Sequence, residues 1–137
     1  MQVTNGEIFD MQKPMEELAP QKMPVKTSLA VLQLRELTNP IAGRVEEMRR
    51  KLIKEYGEVS PTNPQDLQIR PTILVPDSEH EGRMLQEVNP KWAEFLKDFQ
   101  EVRDVVVELE FKPIVIPENI ELSPAALMAL DKFVKVA

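Results

Sequence analysis

The single histidine, His80, stands between Glu79 and Glu81, with Asp77 close before it. Imidazole and carboxylate ligands for zinc or a hard cation come together nowhere else, so a metal-dependent enzyme centred on Asp77, Glu79, His80 and Glu81 is one reading. Metal sites, however, need ligands that converge from a fixed scaffold, whereas successive side chains of a polar loop diverge. No second histidine exists to complete a helical zinc motif. Ser28, Ser60, Ser78 and Ser123 share His80 as their only imidazole partner, and none lies in a Gly-flanked nucleophile elbow. The absence of cysteine removes thiolate nucleophiles, disulfides and Cys-ligated metals together. Gly6, Gly43, Gly57 and Gly82 are isolated, so no phosphate-cradling loop can be assembled. The carboxylate pairs Glu16-Glu17, Glu46-Glu47 and Glu108/Glu110 fall on faces read as solvated, where nothing shifts a pKa towards acid–base work. No catalytic residue, cofactor or metal is assigned, and the chain is expected not to be an enzyme.

The balance of charge points the same way. Seventeen Lys and Arg against 23 Asp and Glu leave a net charge of −6, which repels phosphate backbones at long range. The basic run Arg44, Arg49, Arg50, Lys51 and Lys54 is the one counter-signal. On a helix, Glu46 precedes Arg50 and Glu47 precedes Lys51 by one turn, so a self-paired solvated face explains it and nucleic acid is not expected as a partner. No apolar run approaches the ~18 residues of a membrane span, and the N-terminus lacks a secretory pattern. A soluble, uncleaved protein is expected.

At 137 residues, 42% hydrophobic and 29% charged, one domain is expected. Twelve prolines against four glycines punctuate element junctions. Thr4 or Asn5 caps a first helix carrying Ile8, Phe9, Met11, Met15 and Leu18 and ending before Pro20; Pro14 would kink or divide it. Residues 26–56 carry Leu34, Leu37, Ile41, Val45, Met48, Leu52 and Tyr56 at helical spacing, read as one long helix kinked at Pro40 and stopped by Gly57, the alternative being a break at which Asn39 caps a new helix begun by Pro40. A loop over 58–66 precedes a strand through Leu67, Ile69, Ile73 and Val75, which Pro71 places at an edge or breaks. The polar stretch 76–83 reads as a loop. Asn89-Pro90 opens a helix whose Trp92, Phe95, Leu96, Phe99 and Val102 are the expected centre of the core. Val105, Val107, Leu109 and Phe111 alternate as a strand with a short extension at Ile114–Ile116, and Ser123-Pro124 starts a last helix with Leu127, Leu130 and Val134 buried.

The fold class expected is therefore α+β: a long kinked helix packed with shorter helices and a small antiparallel sheet. Residues 1–137 form one domain in this reading, helical over about 4–57 and mixed over about 67–137. A helix of about 30 residues is roughly 45 Å long, more than a small core can cover. Part of its stripe then needs a partner or a second copy, and Leu29 and Leu32, with Met11 and Met15 of the first helix, are the candidate protein-interaction surface. The alternative is that the first helix folds back and covers this part itself. The seven methionines serve either adaptable contact or irregular core filling.

TNGEIF (Thr4–Phe9), MPVKTSLAVLQL (Met23–Leu34) and VEEMRRKLIKEYGE (Val45–Glu58), followed by WAEFLKDFQEV (Trp92–Val102) and LSPAALMAL (Leu122–Leu130), occur in that order along most of the chain. In this pattern the sequence resembles a group of small bacteriophage-encoded proteins of unassigned function. It departs from them in a proline-bearing insert over Val59–Val88. The resemblance implies a phage setting, hence the host cytoplasm or the virion, and carries over no catalytic residue. Two functions fit: a non-catalytic virion component or assembly factor acting by protein–protein contact, with self-association possible, or a phage inhibitor of a host transcription or defence complex.

Overall fold

In the computed structural model, residues 1–60 and 67–137 are described. Thr4 has extended backbone, its hydroxyl accepts from Glu7 N (3.1 Å), and Glu7 Oε1 accepts from Thr4 N (3.0 Å). This reciprocal cap starts helix α1, Asn5–Leu18, directly after strand β1, Gln2–Thr4. Pro14 neither divides nor ends α1, although it removes one backbone donor. The flanking Met11 and Met15 are fully buried, and their packing offsets the lost hydrogen bond. Helix α2, Val25–Tyr56, likewise runs uninterrupted through Pro40.

The buried stripe of α2 is Val31, Leu34, Thr38, Ala42, Val45 and Leu52, whereas Leu37 and Met48 of the expected stripe are exposed. Both rows fit a helical period and share Leu34, Val45 and Leu52. The observed one tolerates Thr38 in the dry face because its hydroxyl donates to Leu34 O (2.9 Å). Gly57 ends α2 for a steric reason: a Cβ there would collide with the carbonyl oxygen of Ile53, to which Gly57 N donates (2.6 Å).

The chain divides into two compact units, Met1–Val45 with Arg103–Ala137, and Glu46–Val102. In the first, β1 pairs antiparallel with β6, Val106–Glu108, placing Val3 opposite Val107. Strands β7, Ile114–Ile116, and β8, Val134–Val136, pair in parallel, joined through helix α4, Pro124–Leu130. Ser123 caps α4 by accepting from Ala126 N (3.2 Å), with Pro124 in the first turn as expected. The reading of Val134 as part of this helix is corrected. The chain turns after Leu130, Phe133 N donates to Leu130 O, and Phe133 O accepts from Ile114 N to open the β7–β8 ladder.

The core of this unit gathers Val3, Ile8, Met11, Met15, Leu18, Val31, Leu34, Ala42, Leu109, Ile114, Ile116, Leu130, Phe133 and Val134. Its centre is therefore the α1 face against α4 and the β7–β8 pair, not the aromatic helix favoured by the sequence. Gln21 ties the edge of the unit by donating to Glu121 O (2.5 Å) and accepting from Glu121 N (2.9 Å).

In the second unit, β2, Glu58–Val59, pairs with β3, Leu67–Gln68. Pro71 breaks the expected strand, and the chain resumes as β4, Thr72–Pro76, paired antiparallel with β5, Met84–Val88. Part of the expected 58–66 loop is thus β2, Ser60 follows it outside any strand, and 61–66 lie outside the described residues. Helix α3, Pro90–Arg103, is opened by Asn89, whose Oδ1 accepts from Lys91 N (3.1 Å) while Nδ2 donates to Arg70 O (2.8 Å). Trp92, Phe95 and Phe99 stack in series at centroid spacings of 5.6 and 5.8 Å. Only Phe95 of this face is buried, and Leu96 is exposed. The molecule is α+β, with three antiparallel two-stranded ladders and one parallel ladder among the described residues.

Candidate protein-contact surfaces

The four candidate interaction residues separate cleanly. Met11 and Met15 are interior, so their assignment to a contact surface is corrected: the face of α1 that carries them is covered by its own unit. Leu29 and Leu32 are 52% and 53% exposed, and Val25, one turn earlier, is 83% exposed. At 100° per residue these three fall on the side of α2 opposite Leu34, Thr38 and Val45. The first turns of α2 are thus apolar on two opposite sides, and one side faces water.

A second surface lies along α1 and α4. An open cleft of about 480 Å³ is lined by Glu7 and Asp10 from α1, Ala125, Met128 and Ala129 from α4, and Asp131 and Lys132 just beyond it. Met128 is 81% exposed at its wall. Lys132 Nζ lies 2.7 Å from Glu7 Oε2. Burial pushes the Glu7 carboxyl up, but the hydrogen bonds from Lys132 and Thr4 outweigh it and hold the group below its ordinary value. Asp10 receives two hydrogen bonds from Arg103, at 3.0 and 2.6 Å, and this pairing raises the Arg103 guanidinium despite its partial burial. Carboxylates paired with fixed cations suit electrostatic complementarity with a partner better than proton transfer. No local pattern of residues points to this cleft, because its parts lie far apart in the chain.

The third surface is the β4–β5 hairpin. Thr72, Leu74 and Pro76 share one face with Met84, Gln86 and Val88, and Gln86 Nε2 donates to Thr72 Oγ1 across it (2.8 Å). Leu74 and Val88 are 66% and 65% exposed. The sequence showed no strand at 84–88, because Met84, Leu85 and Val88 do not alternate with polar residues.

Between β4 and β5 the acidic loop is shaped by its own backbone. Asp77 Oδ1 accepts from Glu79 N (2.9 Å), Arg83 N donates to His80 O (3.2 Å), and Gly82 adopts φ +80°. Glu79, His80 and Glu81 are all exposed. No group of three or more His, Cys, Asp or Glu able to hold a metal ion forms among the described residues, so the structure does not assemble the candidate ligands. Ser123 is occupied as a helix cap. In the basic run, Glu46 receives Arg49 (2.7 Å) and Arg50 (3.2 Å), and the hydrogen bond from Arg49 chiefly lowers the Glu46 pKa. The Glu46–Arg50 pair is the expected one; Arg49 joins it from the adjacent position. No helix among the described residues is long and apolar enough to cross a membrane.

No family model, curated protein or solved structure matches this chain.

Proposed function

We propose that this is a non-catalytic protein that acts by protein–protein contact in a bacteriophage setting, as a virion component or an assembly factor. One observation carries the contact reading: Val25, Leu29 and Leu32 form an apolar side of α2 directly opposite the side that is already buried. A helix that is apolar on two sides over its first turns leaves one of them for a partner. The phage setting rests on the ordered motifs from Thr4 to Leu130. A net charge of −6 favours the second reading, an inhibitor that presents an acidic surface to a host transcription or defence complex.

Composition of purified particles tests for a virion component, which they contain in fixed stoichiometry; an inhibitor or an assembly factor that leaves is absent from them, and these two are told apart by whether the captured partner is a host or a phage protein. The contact itself is tested with the Leu29→Asp/Leu32→Asp chain, used as bait against infected-cell extract beside the unaltered chain. The double variant is expected to melt within a few degrees of the unaltered chain, since both positions are exposed, and to lose the partner that the unaltered chain retains. Retention of the same partner by both baits would overturn the role given to α2.

A further inference from the structure

We propose that the edge of β5 that no strand covers among the described residues pairs with β5 of a second copy of this chain, joining two β4–β5 hairpins into a four-stranded antiparallel sheet. The hydrogen-bond pattern of the hairpin shows which backbone groups are free for this. Asp77 N donates to Arg83 O (2.8 Å) and Asn89 N donates to Pro71 O (2.9 Å), so 77/83 and 71/89 are hydrogen-bonded pairs. With Leu74 opposite Gln86 and Val75 opposite Leu85, alternation along an antiparallel ladder turns the N–H and C=O groups of Met84, Gln86 and Val88 away from β4.

All five residues of β5 are exposed, and the strand holds no proline and no lysine. These are the usual devices that keep an edge strand from recruiting another chain. The opposite edge is poorer in donors: the outward-facing positions of β4 are Thr72, Leu74 and Pro76, and Pro76 has no N–H to offer.

A second copy is the occupant because the strand is complementary to itself. A two-fold axis at Gln86 sets Met84 against Val88 of the other copy, Gln86 against Gln86, and Leu85 against Glu87. Every outward-facing backbone group of one strand then meets an outward-facing group of the other, so each facing pair exchanges both of its hydrogen bonds. Charge agrees with this register. Arg83 lies diagonal to Glu87 of the other copy on the same face, within reach of long side chains, and the axis repeats the contact. Neither side chain has an ion-pair partner among the described residues. The axis also sets Glu87 diagonal to Glu87 of the other copy, a like-charge contact that the two Arg83 side chains offset; no like charges stand directly opposite each other, and the apolar faces carrying Leu74, Met84 and Val88 become continuous.

This deepens the contact reading by naming the occupant of one surface, and it uses neither Leu29 nor Leu32. Its test is sedimentation of the full chain over a concentration series, together with edge variants. Because the chain has no cysteine, Gln86→Cys introduces one thiol that faces itself across the axis, at the ~5.5 Å Cα separation of a hydrogen-bonded pair, which a disulfide spans. The expected result is a reversible dimer, a rapid intermolecular disulfide in Gln86→Cys, and a dissociation constant raised roughly fivefold in Gln86→Lys, where two ammonium groups oppose each other. Glu87→Arg is expected to weaken the dimer in the same way, and adding Arg83→Glu to it to restore the dimer. A strict monomer at every concentration, or a dimer that ignores Gln86→Lys and does not cross-link through Gln86→Cys, would overturn the proposal. Either result leaves the α2 surface to be judged by its own bait experiment.

Discussion

Tyr56 is the only tyrosine of the chain, so its phenol reports on a single contact. Its hydroxyl donates to Asp98 Oδ2 at 2.6 Å; this bond, then burial and the neighbouring carboxylates of Asp98, Glu55 and Glu94, push its pKa up to about 12. A raised phenol pKa means that the native state favours the neutral form. Its contribution to stability is complete below about pH 10, where an unfolded tyrosine titrates, and is lost as the pH rises through about 12. Phenolate absorbance in native Asp98→Asn should therefore titrate close to 10, well below the unaltered chain. Glu7 works in the opposite direction. Its folded pKa lies below its ordinary value of 4.5, so its contribution is present above that pH and disappears as the pH falls below it. Glu7→Gln should flatten the acid limb of a denaturation series below about pH 4.5, and an unchanged limb would remove the Lys132 pair from the account.

Among elements, α1 and α2 make opposite predictions for residues that the sequence had grouped together. Met15→Ala should cost about 2–5 kcal/mol in a urea or thermal melt, because it opens a cavity in the core that α1 shares with α4. Leu29→Ala should fall within about 0.5 kcal/mol of the unaltered chain. The contrast shows what periodicity can and cannot convey. Helix starts were legible wherever a side chain caps the backbone locally, as at Thr4, Asn89 and Ser123. The length of α2 was also legible, because its period survives Pro40. The buried row of α2 was not, since two interleaved rows share Leu34, Val45 and Leu52, and only the tertiary core that takes in Val31, Leu34 and Ala42 selects between them. Strands β5 and β8 were hidden for another reason. Three to five residues without alternation become a strand only when β4 or β7 supplies a ladder. Of the candidate surface, Leu29 and Leu32 were legible as surplus apolar positions on a long helix. The cleft of Glu7, Asp10 and Lys132 depends on pairings that no local pattern encodes.

At the scale of the molecule, burial is shared unequally. Among the described residues, Glu46–Val102 contributes only Leu52 and Phe95 to the buried apolar side chains, while the remainder holds all the others. Backbone amides of α3 and the β4–β5 hairpin should therefore exchange with deuterium at a lower opening free energy than those of α1, measurable by native-state hydrogen exchange. Equal protection in the two units would contradict this. The better-filled unit is also assembled from two stretches of chain, Met1–Val45 and Arg103–Ala137, with the thinner one threaded between them. Antiparallel pairing of β1 with β6 and the packing of α1 on α4 hold those stretches together without the intervening polypeptide. A protease nick between Glu46 and Val102 should thus leave two pieces that still co-purify, and the same pieces made separately should find each other and refold, a case of fragment complementation.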